Sequence, residues 1–182
     1  MEDSGEAEMS KGVTVWFTGL PCSGKTTVAD RVAETLKKQG LKVERLDGDT
    51  VRKGLTSDLG FSKKDRDENI KRVTFVAKLL TRNDVIVLAT FVSPYRERRQ
   101  LTREEIGSLM EVYVRCSLEE CMKRDVKGMY RKAMAGEIKD FTGVDDPYEE
   151  PESPELILDT DKETVEESAE KVLGKMKSLG YL

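Results

Sequence analysis

The chain contains no histidine. That absence removes imidazole bases, His metal ligands and Ser-His triads, so any acid–base chemistry falls to carboxylates. Cysteine is scarce: Cys22, Cys116 and Cys121 make neither an even disulfide set nor a zinc spacing. Cys116 and Cys121 read as buried or half-buried thiols near a helix start. Cys22 lies beside a helix N-terminus, where thiolate is favoured, although an inert small side chain is the plainer reading. No apolar run approaches the ~20 residues of a membrane span, and no signal-peptide core is visible, so a cytoplasmic protein is expected. No sign of charge dominates either. With 31 Lys and Arg against 35 Asp and Glu, the net charge of −4 leaves no general footprint for nucleic acid or an anionic membrane. An anionic substrate must therefore be met by local cations.

What is present is organised around Gly19-Leu20-Pro21-Cys22-Ser23-Gly24-Lys25-Thr26-Thr27. The apolar run 13–17 before it reads as a buried strand, and residues 28–36 after it have helical apolar spacing. Strand, G-x-x-x-x-G-K-[ST], then helix is the phosphate-binding loop in its confirming context. Its glycines let successive N–H groups turn inward, and the helix N-terminus adds its dipole to the anion site. Lys25 can reach the terminal phosphates and the Thr26 hydroxyl can ligate Mg²⁺. An ATP-type nucleotide with Mg²⁺ is the ligand this loop implies.

Further along, Leu41–Leu46 alternates as a strand and runs into Asp47-Gly48-Asp49. A helical stretch begins near Thr50. Ser62, with Asp65, opens another helix that runs to about Arg82. Val85–Ala89 has the continuous apolar character of a central parallel strand, followed by Phe91-Val92-Ser93-Pro94-Tyr95-Arg96 and a basic helix through Arg98, Arg99 and Arg103. Met110–Val114 is a fourth strand, and Leu118 opens a helix that contains Arg124. Residues 128–146 have weak periodicity, as a mobile lid would, and 147–154 are too proline-rich for regular structure. Leu156–Asp159 is a last strand and 164–179 a closing amphipathic helix. The expected fold is α/β: a P-loop NTPase-type parallel sheet with helices on both faces, three layers α/β/α. One domain spans 11–182, with a lid at about 128–150 and a disordered acidic tail at 1–10. Strand ends bind ligands in such sheets, so Asp47 and Asp49 fall where the phosphate loop also points. A polar turn capping the next helix is the alternative for that Asp-Gly-Asp.

The blocks Asp47-Gly48-Asp49, Gly60-Phe61-Ser62, Asp65–Ile70, Phe91–Arg96 and Phe141-Thr142-Gly143 occur in one order, joined by Lys127–Tyr130 and Gly136–Lys139. In that order they resemble the adenylylsulfate kinase family over roughly residues 11–180. The resemblance implies transfer of the γ-phosphoryl of ATP to the 3′-hydroxyl of adenosine 5′-phosphosulfate (APS). It also implies a homodimer and, in some members, association with ATP sulfurylase. Asp49 would be the general base, with Asp47 supporting the hydrated Mg²⁺. Arg52, Arg66 and Asn69 would supply donors to the phosphosulfate, and Phe61 and Phe141 would sandwich the APS adenine. Val92, Lys127 and Ile138 would line the same pocket, and the ATP adenine would lie between Arg124 and the loop after Asp159. Ser93 is either a substrate contact or a phosphoserine intermediate; with no histidine to activate it, substrate binding is favoured. Thr50 and Met134 stand where the family usually has Asn and Arg, and Pro21-Cys22-Ser23 replaces the commoner Ser-Gly-Ala. Two other readings remain open on the residues. One is a different small-molecule kinase on this scaffold. The other is a regulatory nucleotide-binding domain, which would be expected to have an eroded phosphate loop.

Overall fold

The computed structural model describes residues 11–182; the expected tail at 1–10 lies outside the described residues. Five strands form one parallel sheet in the order β2-β3-β1-β4-β5. They are β1 (Val13–Thr18), β2 (Val43–Asp47), β3 (Ile86–Thr90), β4 (Leu109–Arg115) and β5 (Leu156–Asp159). Between them run α1 (Lys25–Lys38), α2 (Gly48–Lys53), α3 (Lys63–Thr81), α4 (Arg96–Ile106), α5 (Leu118–Arg124) and α6 (Met129–Met134), with α7 (Val165–Ser178) closing the chain. The strands keep the expected α/β plan, with their ends shifted by one or two residues.

β1 is the centre, and every one of its residues is buried. Its alternation divides the core. Val13, Val15 and Phe17 pack with Val28, Val32 and Leu36 of α1 and with Val172 and Met176 of α7. Trp16 faces the other way, into Val73 and Ala77 of α3, and stacks on Phe91 at 5.4 Å. Period-2 strands thus separate two helical layers. Even the polar Thr14 is satisfied there, by the Thr81 hydroxyl at 2.7 Å.

Helix starts follow local chemistry. Ser62 accepts from the Asp65 N–H, as its spacing predicts. Thr164 and Glu167 form a reciprocal capping box on α7. Within 128–146, where the sequence shows weak periodicity, the chain still makes local structure. It holds a helix, α6, whose Tyr130 is buried, and a turn in which the Asp145 carboxylate accepts from the Asp140 and Phe141 N–H groups at 2.8 and 2.6 Å. The Tyr95 hydroxyl donates to Asp146 at 2.9 Å, tying that turn to the start of α4. Six residues give too short a helix for periodicity to reveal.

Leu36, fully buried between α1 and α7, should cost about 2–5 kcal/mol when cut to Ala. Thr164→Ala removes only a cap and should cost about 1 kcal/mol. Urea denaturation separates them; equal losses would contradict this division between core and cap.

Candidate active site

Register builds the site. Asp47 pairs with Thr90, and Phe17 pairs with Thr90 from the other side, so β2, β3 and β1 end level with one another. The loops leaving those three ends are the phosphate loop, the Asp-Gly-Asp turn and the Val92–Ser93 turn.

The phosphate loop is tightly held. Gly24 occupies the left-handed region (φ 97°) as the N-cap of α1, a conformation that costs glycine least. A Cβ on Gly19 would collide with the Val114 carbonyl of the neighbouring strand. The Thr160 hydroxyl donates to the Ser23 carbonyl at 2.6 Å, and the Tyr130 hydroxyl donates to the Pro21 carbonyl at 3.0 Å. Arg124 donates to the Thr160 carbonyl at 2.7 Å and reaches the Cys22 carbonyl at 3.5 Å. Arg124 and the loop after Asp159 are therefore brought together at one flank of the phosphate loop. Leu20 and Cys22 are half-buried against Tyr130, Phe141, Cys116 and Cys121, which gathers the three free thiols beneath the loop. Burial pushes the Cys121 thiol up to about 12.

Lys25 is only 9% exposed. Its ammonium donates to the carbonyls of Gly19 at 2.9 Å and Leu20 at 2.6 Å. Burial lowers its pKa from 10.5 to about 8, against the raising pull of the nearby thiols and Asp47. Thr26 and Thr27 lie exposed at the mouth.

Asp47 joins the loops. Its Oδ2 accepts from the Thr26 hydroxyl at 3.0 Å and from the Thr90 hydroxyl at 3.0 Å, while Oδ1 accepts from the Asp49 N–H at 3.0 Å and caps α2. Partial burial pushes its carboxyl up, but donors from Thr90, Thr26 and the N–H groups of Asp49 and Thr50 outweigh that and hold it below the usual range. One oxygen thus makes the helix cap, and the other faces the Thr26 hydroxyl of the phosphate loop. Asp49 is exposed and ion-pairs with Lys127.

The cations expected around the acceptor are engaged with backbone. Arg52 donates to the Gly60 carbonyl at 3.0 Å, its guanidinium 4.2 Å from the Phe61 ring centre. Arg66 donates to the Phe61 carbonyl at 2.8 Å and also to the Asp140 carbonyl. It therefore bridges the loop of Phe61, which is 54% exposed, to the residue before Phe141. Phe141 itself is 9% exposed and packs edge-on to Tyr130 at 5.0 Å. Asn69 is buried and accepts from the Thr56 hydroxyl at 2.8 Å. Ile138 is half-buried beside Phe141. The Ser93 hydroxyl is also enclosed: it accepts from the Trp16 indole N–H at 3.1 Å and donates to Thr18 at 3.0 Å. The Val92 carbonyl accepts from the Thr18 hydroxyl at 2.8 Å.

A family model described as adenylylsulphate kinase matches residues 11–159. The chain belongs to the adenylylsulphate kinase family. The adenylyl-sulfate kinase of Halothermothrix orenii is 63% identical over 172 residues, covering 94% of this chain and 93% of that protein. That of a Picosynechococcus species is 59% identical over the same length, covering 94% of this chain and 97% of its own. Among solved structures, the Mycobacterium tuberculosis APS kinase CysC in complex with AMPPNP and APS superposes with a TM-score of 0.89 at 42% identity, covering 92% of this chain and 99% of that one.

Within this kinase, Thr50 lies exposed in the first turn of α2, and Met134 projects into solvent from α6. Thr90 and Thr160 help hold the site together yet carried no signal in the sequence, since each is an ordinary strand or loop residue until register sets it beside a motif; Tyr130 showed only as part of the Lys127–Tyr130 block, not as a brace of the phosphate loop. Arg98, Arg99 and Arg103 read as a basic face, but the fold pairs them with Glu105, Glu111 and Glu155.

Lys25 carries a pH signature. Between about pH 8 and 10.5 the unfolded chain keeps a proton that the folded chain has released, so this residue makes stability rise with pH across that window. The stability difference between wild type and Lys25→Met should shift in favour of wild type from pH 7.5 to 9.5. A difference that stays flat over that range would contradict the buried-ammonium account.

Proposed function

We propose that this kinase transfers the γ-phosphoryl of ATP to the 3′-hydroxyl of APS, giving ADP and 3′-phosphoadenosine 5′-phosphosulfate in sulfate assimilation. The observation that carries the reading is the Thr26–Asp47 contact of 3.0 Å, which joins an intact phosphate loop to a turn bearing a second carboxylate, Asp49, exposed and paired with Lys127. A regulatory domain has no need of that arrangement. The solved relative that holds AMPPNP and APS supports both substrates.

The Thr26 hydroxyl and Asp47 carboxylate fit a magnesium ion. Both are hard oxygen donors, and Asp47 is kept ionised. Among the described residues no group of three or more His, Cys, Asp or Glu gathers elsewhere as a metal site. That suits an ion completed by water and phosphate oxygens. Bound there, Mg²⁺ would neutralise charge on the β- and γ-phosphates.

The chain's own residues then supply positioning and proton transfer. The loop from Gly19 to Thr27 wraps the phosphates with those backbone N–H groups that stay free, Pro21 having none, and Lys25 exchanges its loop carbonyls for phosphate oxygens. Arg124 and the Thr160 loop flank the ATP adenine. Phe61 and Phe141 grip the APS adenine, while Arg52, Arg66, Asn69 and Lys127 meet its anionic end. As Lys127 turns to the phosphosulfate it frees Asp49 to accept the 3′-hydroxyl proton. Ser93 serves as a wall of the acceptor pocket, its hydroxyl already committed to Trp16 and Thr18. Residues 11–182 act as one domain with 128–150 as the closing segment. Self-association to a homodimer belongs to the same reading; the hexameric APS kinase of Thiobacillus denitrificans, 35% identical over 96% of this chain and 30% of its own, supports oligomerisation only. A cytoplasmic site of action and association with ATP sulfurylase complete it. Among the described residues no helix is long and apolar enough to cross a membrane.

Asp49→Ala should lower kcat by ~10²–10⁴-fold with ATP affinity kept, whereas Lys25→Met should weaken ATP binding as well. More than about a tenth of wild-type kcat in Asp49→Ala would rule out the base assignment. Arg66→Ala should shrink the kcat/KM preference for APS over AMP, while Phe141→Ala weakens both ligands and leaves their ratio near its original value. An unchanged ratio in Arg66→Ala, measured at fixed ionic strength, would make Arg66 a loop-bracing residue rather than a reader of the sulfate.

A further inference from the structure

Arg99, on α4, is more deeply enclosed than a basic surface helix would suggest: its side chain is 5% exposed. All three of its nitrogens are engaged, each with a different element. Nε pairs with Glu111 of β4 at 3.0 Å, and the Glu111 side chain is itself only 12% exposed. Nη1 donates to the Ser93 carbonyl at 2.6 Å, and Nη2 donates to the Glu149 carbonyl at 2.5 Å. The guanidinium carbon also sits 5.7 Å from the ring centre of Tyr148. One planar fork therefore ties the turn after β3 to the strap that leaves the 128–146 segment.

Ser93 is where that fork matters most. It takes φ 40°, a left-handed conformation disfavoured for a residue with a Cβ. Its hydroxyl is fixed by Trp16 and Thr18, and its carbonyl by Arg99. Thr18 immediately precedes the phosphate loop, and its hydroxyl also bonds the Tyr148 hydroxyl at 2.9 Å. The Pro94 carbonyl accepts from the Glu149 N–H at 2.9 Å, so the strap is stitched to the same turn twice. Through these contacts the end of β1, the Val92–Ser93 turn and the strap hold one fixed relation.

We infer that Arg99 is a positioning residue for the acceptor side of the transfer, acting through the Ser93 and Glu149 carbonyls. The inference rests on the proposed function for its kinetic consequence, but not for its structural one. A plainer role would be charge neutralisation of Glu111 inside the fold. The two roles separate because lysine can pair with Glu111 but cannot present the planar fork that reaches both carbonyls at once. Loss of the fork should let the Val92–Ser93 turn relax and misplace the acceptor, while the phosphate loop, braced separately by Thr160 and Tyr130, stays formed.

The test compares wild type with Arg99→Lys, and with the double variant Arg99→Gln/Glu111→Gln, which removes both charges together and carries the comparison if the single variant does not fold. Amide hydrogen exchange is read by peptide, without substrate. Peptides covering 92–95 and 148–150 should exchange faster in the variants, and those from α1 should not. ATP affinity should stay within about twofold while KM for APS rises and kcat falls by about tenfold each. Unchanged exchange at 92–95 would overturn the inference, as would equal weakening of ATP and APS. A wild-type protein inert toward APS would overturn the functional reading instead, and the exchange comparison would still decide the role of Arg99.

Discussion

The Asp47 carboxylate is the point on which the site's assembly depends. One oxygen accepts from the N–H that starts α2, and the other accepts hydroxyls from the end of β3 and the start of α1. A neutral side chain there would leave two hydroxyls and an N–H without their strongest acceptor. The charge is kept because several donors outweigh its partial burial. The arrangement is possible only because parallel pairing brings β2, β3 and β1 to a common end, setting Asp47 beside Thr90. Sheet register is thus the long-range constraint, and the carboxylate is its local expression.

Around that point the structure uses two kinds of material. The two faces of the sheet are covered mainly by apolar side chains, as in the Val13, Val15 and Phe17 cluster against α1 and α7. The carboxyl edge is held by hydrogen bonds: Thr160 and Tyr130 on the phosphate loop, Thr18 and Trp16 on Ser93, Arg66 between the loops of Phe61 and Phe141. Apolar packing fixes where the strands lie but cannot aim a carbonyl. Directional bonds do that, at the cost of burying cations such as Lys25 and Arg99, each of which must then be answered by carbonyls or a carboxylate.

Much of this was legible in the sequence, for identifiable reasons. β1 and β3 show as apolar runs because both of their faces are covered, and α3 shows because Ser62 and Asp65 make a recognisable start. The phosphate loop is legible because its glycines and lysine are dictated by backbone geometry. What stayed hidden depends on contacts between residues far apart in the chain. Arg99 and Glu111 look like surface charges until β4 and α4 meet, and Tyr148 sits in a proline-rich run that gives no hint of its hydroxyl reaching Thr18. α6 is too short for periodicity, so the order of the 128–150 stretch appears only when Tyr130 is seen under the phosphate loop.

The central claim is that the phosphate loop and the Asp-Gly-Asp turn serve one acceptor, the 3′-hydroxyl of APS. Incubating the purified protein with ATP, Mg²⁺ and either APS or AMP, and locating the transferred phosphate by ³¹P NMR and mass spectrometry, tests it directly. The account predicts APS phosphorylated at the 3′ position, with one ADP formed per phosphate transferred. Phosphate found on the 5′-phosphate of AMP, or ATP hydrolysis indifferent to APS, would contradict it.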